Sequence, residues 1–418
     1  MAGNQSAPPP PPFICQFFSP TEAEWKPFKL IWHDGSEQDP TDEKTAGRYK
    51  AHREELRETL LQSLQMPNIV VLAGSGTSLG QVRGPSMWDL WDHIVHSNPG
   101  DGTDPVVCPK AASVIALTGY ETATDGENIE ALLSRCEAWL QLNSADGAEQ
   151  VRTFVNNAKN TILRMCTDFL SDQNLEAHRK FLHRLSRRRN SDPRIKLFTT
   201  NYDLCFEKSA ALQGLIVIDG FSLNKPRIFD PGFFGFDVVR RGSDPSQKND
   251  FVEGVVHVLK LHGSVNWERQ ENGEIAEIES PSPEKACLIY PAHGKYQQSY
   301  VQPHLELMSQ FMSSLRQTNT CLIVAGFGFN DDHLSAPILS AIQSNPDLRV
   351  VIADPGVMKY DQSENPNLRS LAKHASTGSD VWLLNTTFDV FSGLLPHLKS
   401  LTPAQQLEKA ISRVRGGV

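Results

Sequence analysis

The sequence predicts an α/β fold: a Rossmann-like, mostly parallel sheet flanked by helices, with an inserted helical module and no zinc ribbon. Three observations predict it. Asn68-Ile69-Val70-Val71-Leu72 is a continuous apolar run, the pattern of a strand buried on both faces. Comparable runs recur at Ile195–Phe198, Leu215–Ile218, Val255–Leu261, Cys321–Ala325, Val350–Ala353 and Val381–Leu384, with helical patterns between some of them that imply parallel crossovers. Five of the runs stop in a polar or glycine-rich turn, the place where open parallel sheets hold ligands.

In chain order, Pro8 to Pro12 form a short polyproline stretch, expected to be extended. FICQFF and the neighbourhood of Trp25, Phe28 and Trp32 then give residues 1–45 the character of an aromatic arm that docks on this subunit or on another. From about Thr45 to Gln65, Leu56, Leu60, Leu61 and Leu64 share one side of a helix. Residues 46–400 are expected to form one α/β domain, with a helical insertion at about 100–190. There Ile129, Leu132, Leu133, Cys136 and Leu140 keep helical spacing, as do Val151, Phe154, Val155, Ala158, Ile162 and Phe169. The run Arg184, Arg187, Arg188, Arg189 closes a predicted helix, where cations suit the negative dipole end and a solvated helix terminus is expected. Residues 222–250, rich in Phe, Gly, Pro and Asp, read as a loop or hairpin. Residues 401–418 read as a C-terminal helix with Pro403 early and Leu407, Ile411 and Val414 on one face.

The bulk numbers narrow the function. With 40 basic and 49 acidic residues the formal charge is −9, which argues against direct nucleic-acid binding as the main task. Seven scattered cysteines without a C-x-x-C supply neither a disulfide framework nor a zinc ribbon. The N-terminus lacks the charged and apolar regions of a signal peptide, and no segment is apolar for the length a bilayer demands, so no membrane role and a cytoplasmic location are expected.

The chemistry sits in the five turns. Ala73-Gly74-Ser75-Gly76-Thr77-Ser78 follows a buried strand and opens a helix, a context in which glycines admit a pyrophosphate close to the backbone. A plain tight turn has the same composition, and Leu79 stands where the dehydrogenase pattern has its third glycine or alanine. Thr199-Thr200-Asn201-Tyr202-Asp203 presents an amide and a carboxylate at the next strand end, where either capping or ligand contact accounts for them. His262-Gly263 ends the Val255–Leu261 run. Gly326-Phe327-Gly328-Phe329-Asn330-Asp331-Asp332 precedes a helix that Asp331 or Asp332 could cap. Asp354, before Pro355, is either a strand exit or an acid for ribose hydroxyls. In a parallel sheet all five turns share one edge, and chance capping explains each more easily than all five.

In this order the motifs resemble those of the sirtuins. GSGTS at 74–78 resembles their G-A-G-x-S opening, TTNYD at 199–203 their T-Q-N-x-D, His262-Gly263 their catalytic H-G, and GFG at 326–328 their late glycine turn, over roughly residues 67–390. Gly84-Pro85-Ser86-Met87-Trp88 and Asn128-Ile129-Glu130 further resemble the bacterial sirtuin-like branch of antiviral defence systems. Thr200 replaces the family's glutamine. Only Cys287 lies between His262 and Cys321, so the four-thiolate zinc module of sirtuin deacylases does not fit there, and no metal is expected.

The resemblance implies NAD as substrate, with Asn201 and His262 catalytic and Ala73, Gly74, Gly76, Ser78, Thr200, Asp203, Gly326, Phe327, Gly328 and Asp354 binding the dinucleotide. Its implied activity is hydrolysis of NAD to nicotinamide and ADP-ribose. Protein deacylation or ADP-ribosyl transfer is one alternative, and a noncatalytic NAD- or ADP-ribose-binding scaffold is another. Length and layout look most like the sirtuin-like subunit paired with a HerA-type hexameric ATPase, which implies a homo-oligomeric ring bound to that partner, with the arm and the final helix as assembly surfaces.

Overall fold

The computed structural model describes residues 11–32, 36–97, 106–143, 147–188, 192–240, 250–288 and 302–398. Most of the polyproline stretch, Arg189 and the expected helix at 401–418 lie outside the described residues.

Ten strands make the main sheet: β1 (Phe13–Ser19), β2 (Glu24–Ile31), β3 (Glu37–Gln38), β4 (Asn68–Ala73), β5 (Ile195–Thr199), β6 (Ile216–Ile218), β7 (Val255–Lys260), β8 (Thr320–Ala325), β9 (Leu348–Ala353) and β10 (Val381–Asn385). Their spatial order is β3-β2-β1-β10-β9-β8-β4-β5-β7-β6. The seven strands from β10 to β6 run parallel to one another. These are the seven apolar runs of the sequence.

The aromatic arm takes the chain's own sheet as its dock. β1 pairs antiparallel with β10 and with β2, and Cys15, Phe17 and Phe28 are fully buried. Its alternation of buried and exposed positions is that of a strand covered on one face.

Side chains of the parallel strands alternate between two apolar layers. Ile69, Val71, Leu197, Ile323, Val351 and Leu384 face one layer, completed by the helices Glu43–Leu64, Glu176–Leu185 and Phe388–Leu394. Val70, Leu72, Phe198, Leu322, Val324 and Ile352 face the other, completed by His304–Leu315, Asp332–Ser344 and Pro366–Ser376. A third core belongs to the helical module, built from helices Met87–Val95, Pro109–Thr118, Ile129–Leu142 and Ala148–Asp168. Helix Glu176–Leu185, inside the expected insertion by position, packs instead on the sheet through Ala177, Phe181, Leu182 and Leu185. The module touches the sheet edge through Tyr202, Val265, Ala286 and Leu288.

The arginine run differs from the solvated helix end expected of it. The Arg188 side chain is 6% exposed and donates to the carbonyls of Leu64, Met66 and Pro67, closing the end of helix Glu43–Leu64. Arg184 donates to the carbonyls of Gly393 and Leu395. Exposed helix carbonyls of neighbouring elements outcompete water for these guanidiniums.

Candidate functional site

Register brings the turns together. Across the sheet Ala353 pairs with Ala325, Ala325 with Ala73, Ala73 with Thr199, and Thr199 with Lys260. The five strands therefore end on one row, and the five turns leave from it side by side. Asn201 and His262 each stand two residues beyond a paired position. Chain order reverses between β4 and β8: the strands after β4 are laid down on one side of it, and β8 returns to the other. That reversal is the switch point at which open α/β sheets form a crevice.

At this point the two glycine turns cross backbone to backbone. Gly76 N donates to Gly326 O at 2.9 Å and Gly74 N to Ala325 O at 3.0 Å. A Cβ on Gly74 would lie 2.6 Å from Gly326 O, and one on Gly76 would lie 2.6 Å from the Gly326 Cα. Gly326 itself has φ +61. Glycine is required on both sides because the space is filled by main chain.

The amide of Asn201 is oriented by two hydroxyls from the first turn. Thr77 Oγ1 donates to Gly74 O at 2.8 Å, and Ser78 Oγ donates to Asp203 Oδ2 at 2.8 Å. With their protons committed, both hydroxyls accept from Asn201 Nδ2, at 3.1 and 3.0 Å. Asn201 Oδ1 is thereby turned away from them. It is buried and has no hydrogen-bond partner among the described residues. Asn201 is thus no helix cap. The helix starts at Cys205, whose amide is taken by Asp203 Oδ1 at 2.9 Å. Thr200 ties the turn to its neighbour through its amide, which donates to Ala73 O at 3.0 Å.

His262 lies on the adjacent strand end and is 9% exposed. Gly263 after it has φ +88, and any Cβ there would strike the carbonyl of Cys287. His262 Nε2 is 3.1 Å from Asp331 Oδ2, while Asp331 Oδ1 accepts from His333 N at 2.9 Å. Asp331 is therefore the N-cap of helix Asp332–Ser344 and the partner of His262 at once. Burial pulls the imidazole towards its neutral form. The bond and charge of Asp331, with the charge of Glu130, outweigh that and leave His262 above its ordinary value. Burial acts to raise Asp331, but the His262 bond and charge hold it below the usual carboxylate range.

Three polar residues that the motif reading left without a role complete the surroundings. Tyr202 OH donates to Glu130 Oε1 at 2.7 Å. Burial pushes the Glu130 carboxyl up, against opposing pulls from His262 and the Tyr202 hydroxyl. Lys260, 3% exposed, binds Glu207 Oε1 at 3.2 Å and the carbonyls of Tyr202 and Asp203. Tyr202 and Glu130 both fall within quoted motifs, but their bond joins positions 72 apart and no local pattern shows it.

At the other end of the edge, Gly328, Asp354, Gly356, Lys359, Tyr360, Gln362, Ser363 and Leu368 line a cavity of 430 Å³. Asp354 Oδ1 accepts from Gly356 N at 2.6 Å, and burial raises its carboxyl. Neither Asn201 nor His262 lines this cavity. Phe327, 6% exposed, packs on Phe329 with ring centres 5.1 Å apart. Among the described residues no group of three or more His, Cys, Asp or Glu could hold a metal ion, and no helix is long and apolar enough to cross a membrane.

Fold and site thus define an open α/β protein whose candidate ligand crevice lies at the switch point of a parallel sheet. Residues 196–375 match the family model described as a SIR2-like domain, a stretch that contains the Asn201, His262 and Gly326 turns. No curated protein sequence matches the chain. Among solved structures, a Sir2 homologue–NAD complex is similar at 15% identity, covering 82% of this chain and 92% of its own, with a TM-score of 0.41. A Sir2 homologue mutant bound to ADP-ribose is similar at 15% identity, covering 85% and 97%, with a TM-score of 0.39. A Sir2 homologue mutant in complex with 2′-O-acetyl ADP-ribose is similar at 14% identity, covering 82% and 96%, with a TM-score of 0.39.

Proposed function

We propose that this chain hydrolyses NAD to nicotinamide and ADP-ribose. The observation that carries the reading is the shared row. It puts an oriented neutral amide with a buried outward oxygen, Asn201 Oδ1, on the strand end next to a carboxylate-held imidazole, His262, beside two crossed glycine turns. The SIR2-like match over 196–375 supports a dinucleotide ligand.

Each residue has a task in this reading. The glycine turns admit the pyrophosphate, and Asp354 meets the hydroxyls of the adenosine ribose. Cleaving the bond between nicotinamide and its ribose builds positive charge on the sugar, as in glycoside cleavage. The leaving group departs neutral and needs no strong acid. Asn201 Oδ1 holds the ribose and a water without adding charge, and Asp203 stands near the carboxamide. His262 is the base for a ribose hydroxyl or the attacking water, with Asp331 fixing its orientation.

The same reading makes the chain the effector of an antiphage complex: a homo-oligomeric ring switched on by a HerA-type hexameric ATPase. It rests on the defence-branch resemblance of residues 84–88 and 128–130 and on the cost of unregulated NAD loss. The test is mass spectrometry of NAD products with the purified chain, alone and with the candidate ATPase. Nicotinamide and ADP-ribose should appear, and Asn201→Ala and His262→Ala should each lower turnover at least ~100-fold while the protein still folds. NAD left intact under every condition overturns the reading. Nicotinamide release only with an acyl-lysine peptide would favour deacylation instead.

A further inference from the structure

We propose that Glu130 is a further catalytic residue, whose carboxylate takes the proton of the water that attacks the nicotinamide ribose and leaves His262 to the ribose hydroxyl. This rests on the NAD-hydrolase reading above.

Glu130 lies in the first turn of helix Ile129–Leu142, capped by Asn128. An acid at that position ordinarily serves the helix dipole from the surface. Here it is bound across to the sheet edge. Its partner, Tyr202, stands between Asn201 and Asp203, is 6% exposed, and donates at 2.7 Å. The Tyr202 carbonyl is itself pinned by Val265 N at 3.0 Å and by Lys260 at 3.3 Å. The carboxylate therefore hangs on the turn that carries Asn201. It is also close enough for its charge to be felt at His262, and Asp331 acts on it in turn.

Hydrolysis releases one proton, that of the attacking water, and the proton needs an acceptor at C1′. His262 has one ring nitrogen engaged by Asp331, so one nitrogen serves the substrate. If that nitrogen accepts a hydrogen bond from a ribose hydroxyl, which keeps its proton, the water's proton must go elsewhere. A carboxylate beside the anomeric carbon is the group glycoside-cleaving sites use for it. The C1′–N bond breaks first, its bonding pair leaving with neutral nicotinamide and positive charge staying on the sugar, and the water oxygen then bonds to C1′. The water proton passes to Glu130 and then to solvent. Burial, by weakening the acid, makes Glu130 the better acceptor.

Glu130→Gln tests this under conditions in which the wild-type chain releases nicotinamide. Hydrolysis should fall at least ~100-fold, with ADP-ribose affinity unchanged. Exchange of labelled nicotinamide into NAD, which breaks and remakes the C–N bond without water, should persist, and added formate should restore hydrolysis to Glu130→Ala. Hydrolysis at the wild-type rate would overturn the role. So would loss of exchange and ADP-ribose binding together with hydrolysis. Where Glu130→Gln does not fold, Tyr202→Phe decides: unhooking the carboxylate should slow hydrolysis about tenfold with exchange intact, and an unaltered rate overturns the proposal. A wild-type chain that leaves NAD intact removes the hydrolase reading first, and this role with it.

Discussion

The two halves of the crevice are built from different materials. Around β4 and β8 the contacts are main chain against main chain: glycines crossing at van der Waals range, amides bonded to carbonyls, and a neutral asparagine aimed by hydroxyls. Around β7 they are charged side chains held away from water: His262 with Asp331, Lys260 with Glu207, and Glu130 on Tyr202. The first half can only be a shape. The second can change state, because it holds an imidazole and a carboxyl whose protonation their surroundings shift. A site that must grip a dinucleotide and also move a proton is served by one rigid half and one ionisable half.

That contrast breaks most visibly at Lys260. Lys260→Met leaves the half-buried Glu207 without its cation and frees the carbonyls of Tyr202 and Asp203. Chemical denaturation should show a loss of about 4 kcal/mol. The double variant Lys260→Met/Glu207→Leu should recover part of it, since an apolar pair can stand in for an ionic one. Equal losses in the single and double variants would mean the pair contributes nothing.

On the rigid side, Gly76→Val should cost about 3 kcal/mol by thermal melting, because the new Cβ meets the Gly326 main chain. No second-site side-chain change should rescue it, which is the sharpest difference from Lys260. A Gly76→Val protein that melts with the wild type would refute the crossed-turn geometry.

The smallest effect concerns pH. His262 is raised above its ordinary value of 6.5, so its contribution is full below that pH and is lost as pH rises through the folded-state pKa. Asp331 is lowered below 3.8, so its contribution is present above that pH and is lost as pH falls through its folded-state pKa. The pair thus stabilises most between about pH 4 and 6.5. Melting curves of wild type and Asp331→Asn should differ by about 1.5 kcal/mol there and converge at alkaline pH. A difference that grows above pH 8 would contradict the charge assignment.

The same contrast decides what the sequence disclosed. The seven parallel strands were legible because strands buried on both faces are unbroken apolar runs, and the glycine turns because their constraint is local. Asp331 was visible only as a cap, since the bond from its other oxygen to His262 spans 69 positions. Glu130 and Lys260 carried no local signal of their roles, for a buried charge is explained by its partner and not by its neighbours in sequence. The arm kept its destination open because an aromatic strand covered on one face suits any edge. The small antiparallel sheet of Gly263–Arg269, Ile275–Glu277 and Ala286–Leu288, with the first strand in the middle, was hidden behind a histidine motif that drew attention to its first residue.

The seating of β1 beside β10 carries a consequence for biosynthesis. Asn385 closes on the carbonyl of Ile14 across 371 positions. A ribosome delivers Phe17 and Phe28 long before the strand that shelters them exists. The parallel strands must assemble around an unfinished border, and the hairpin docks only when β10 emerges. Nascent chains halted before residue 381 should therefore display those aromatic rings to chaperones, and the last docking step should mark when this protein becomes safe to release.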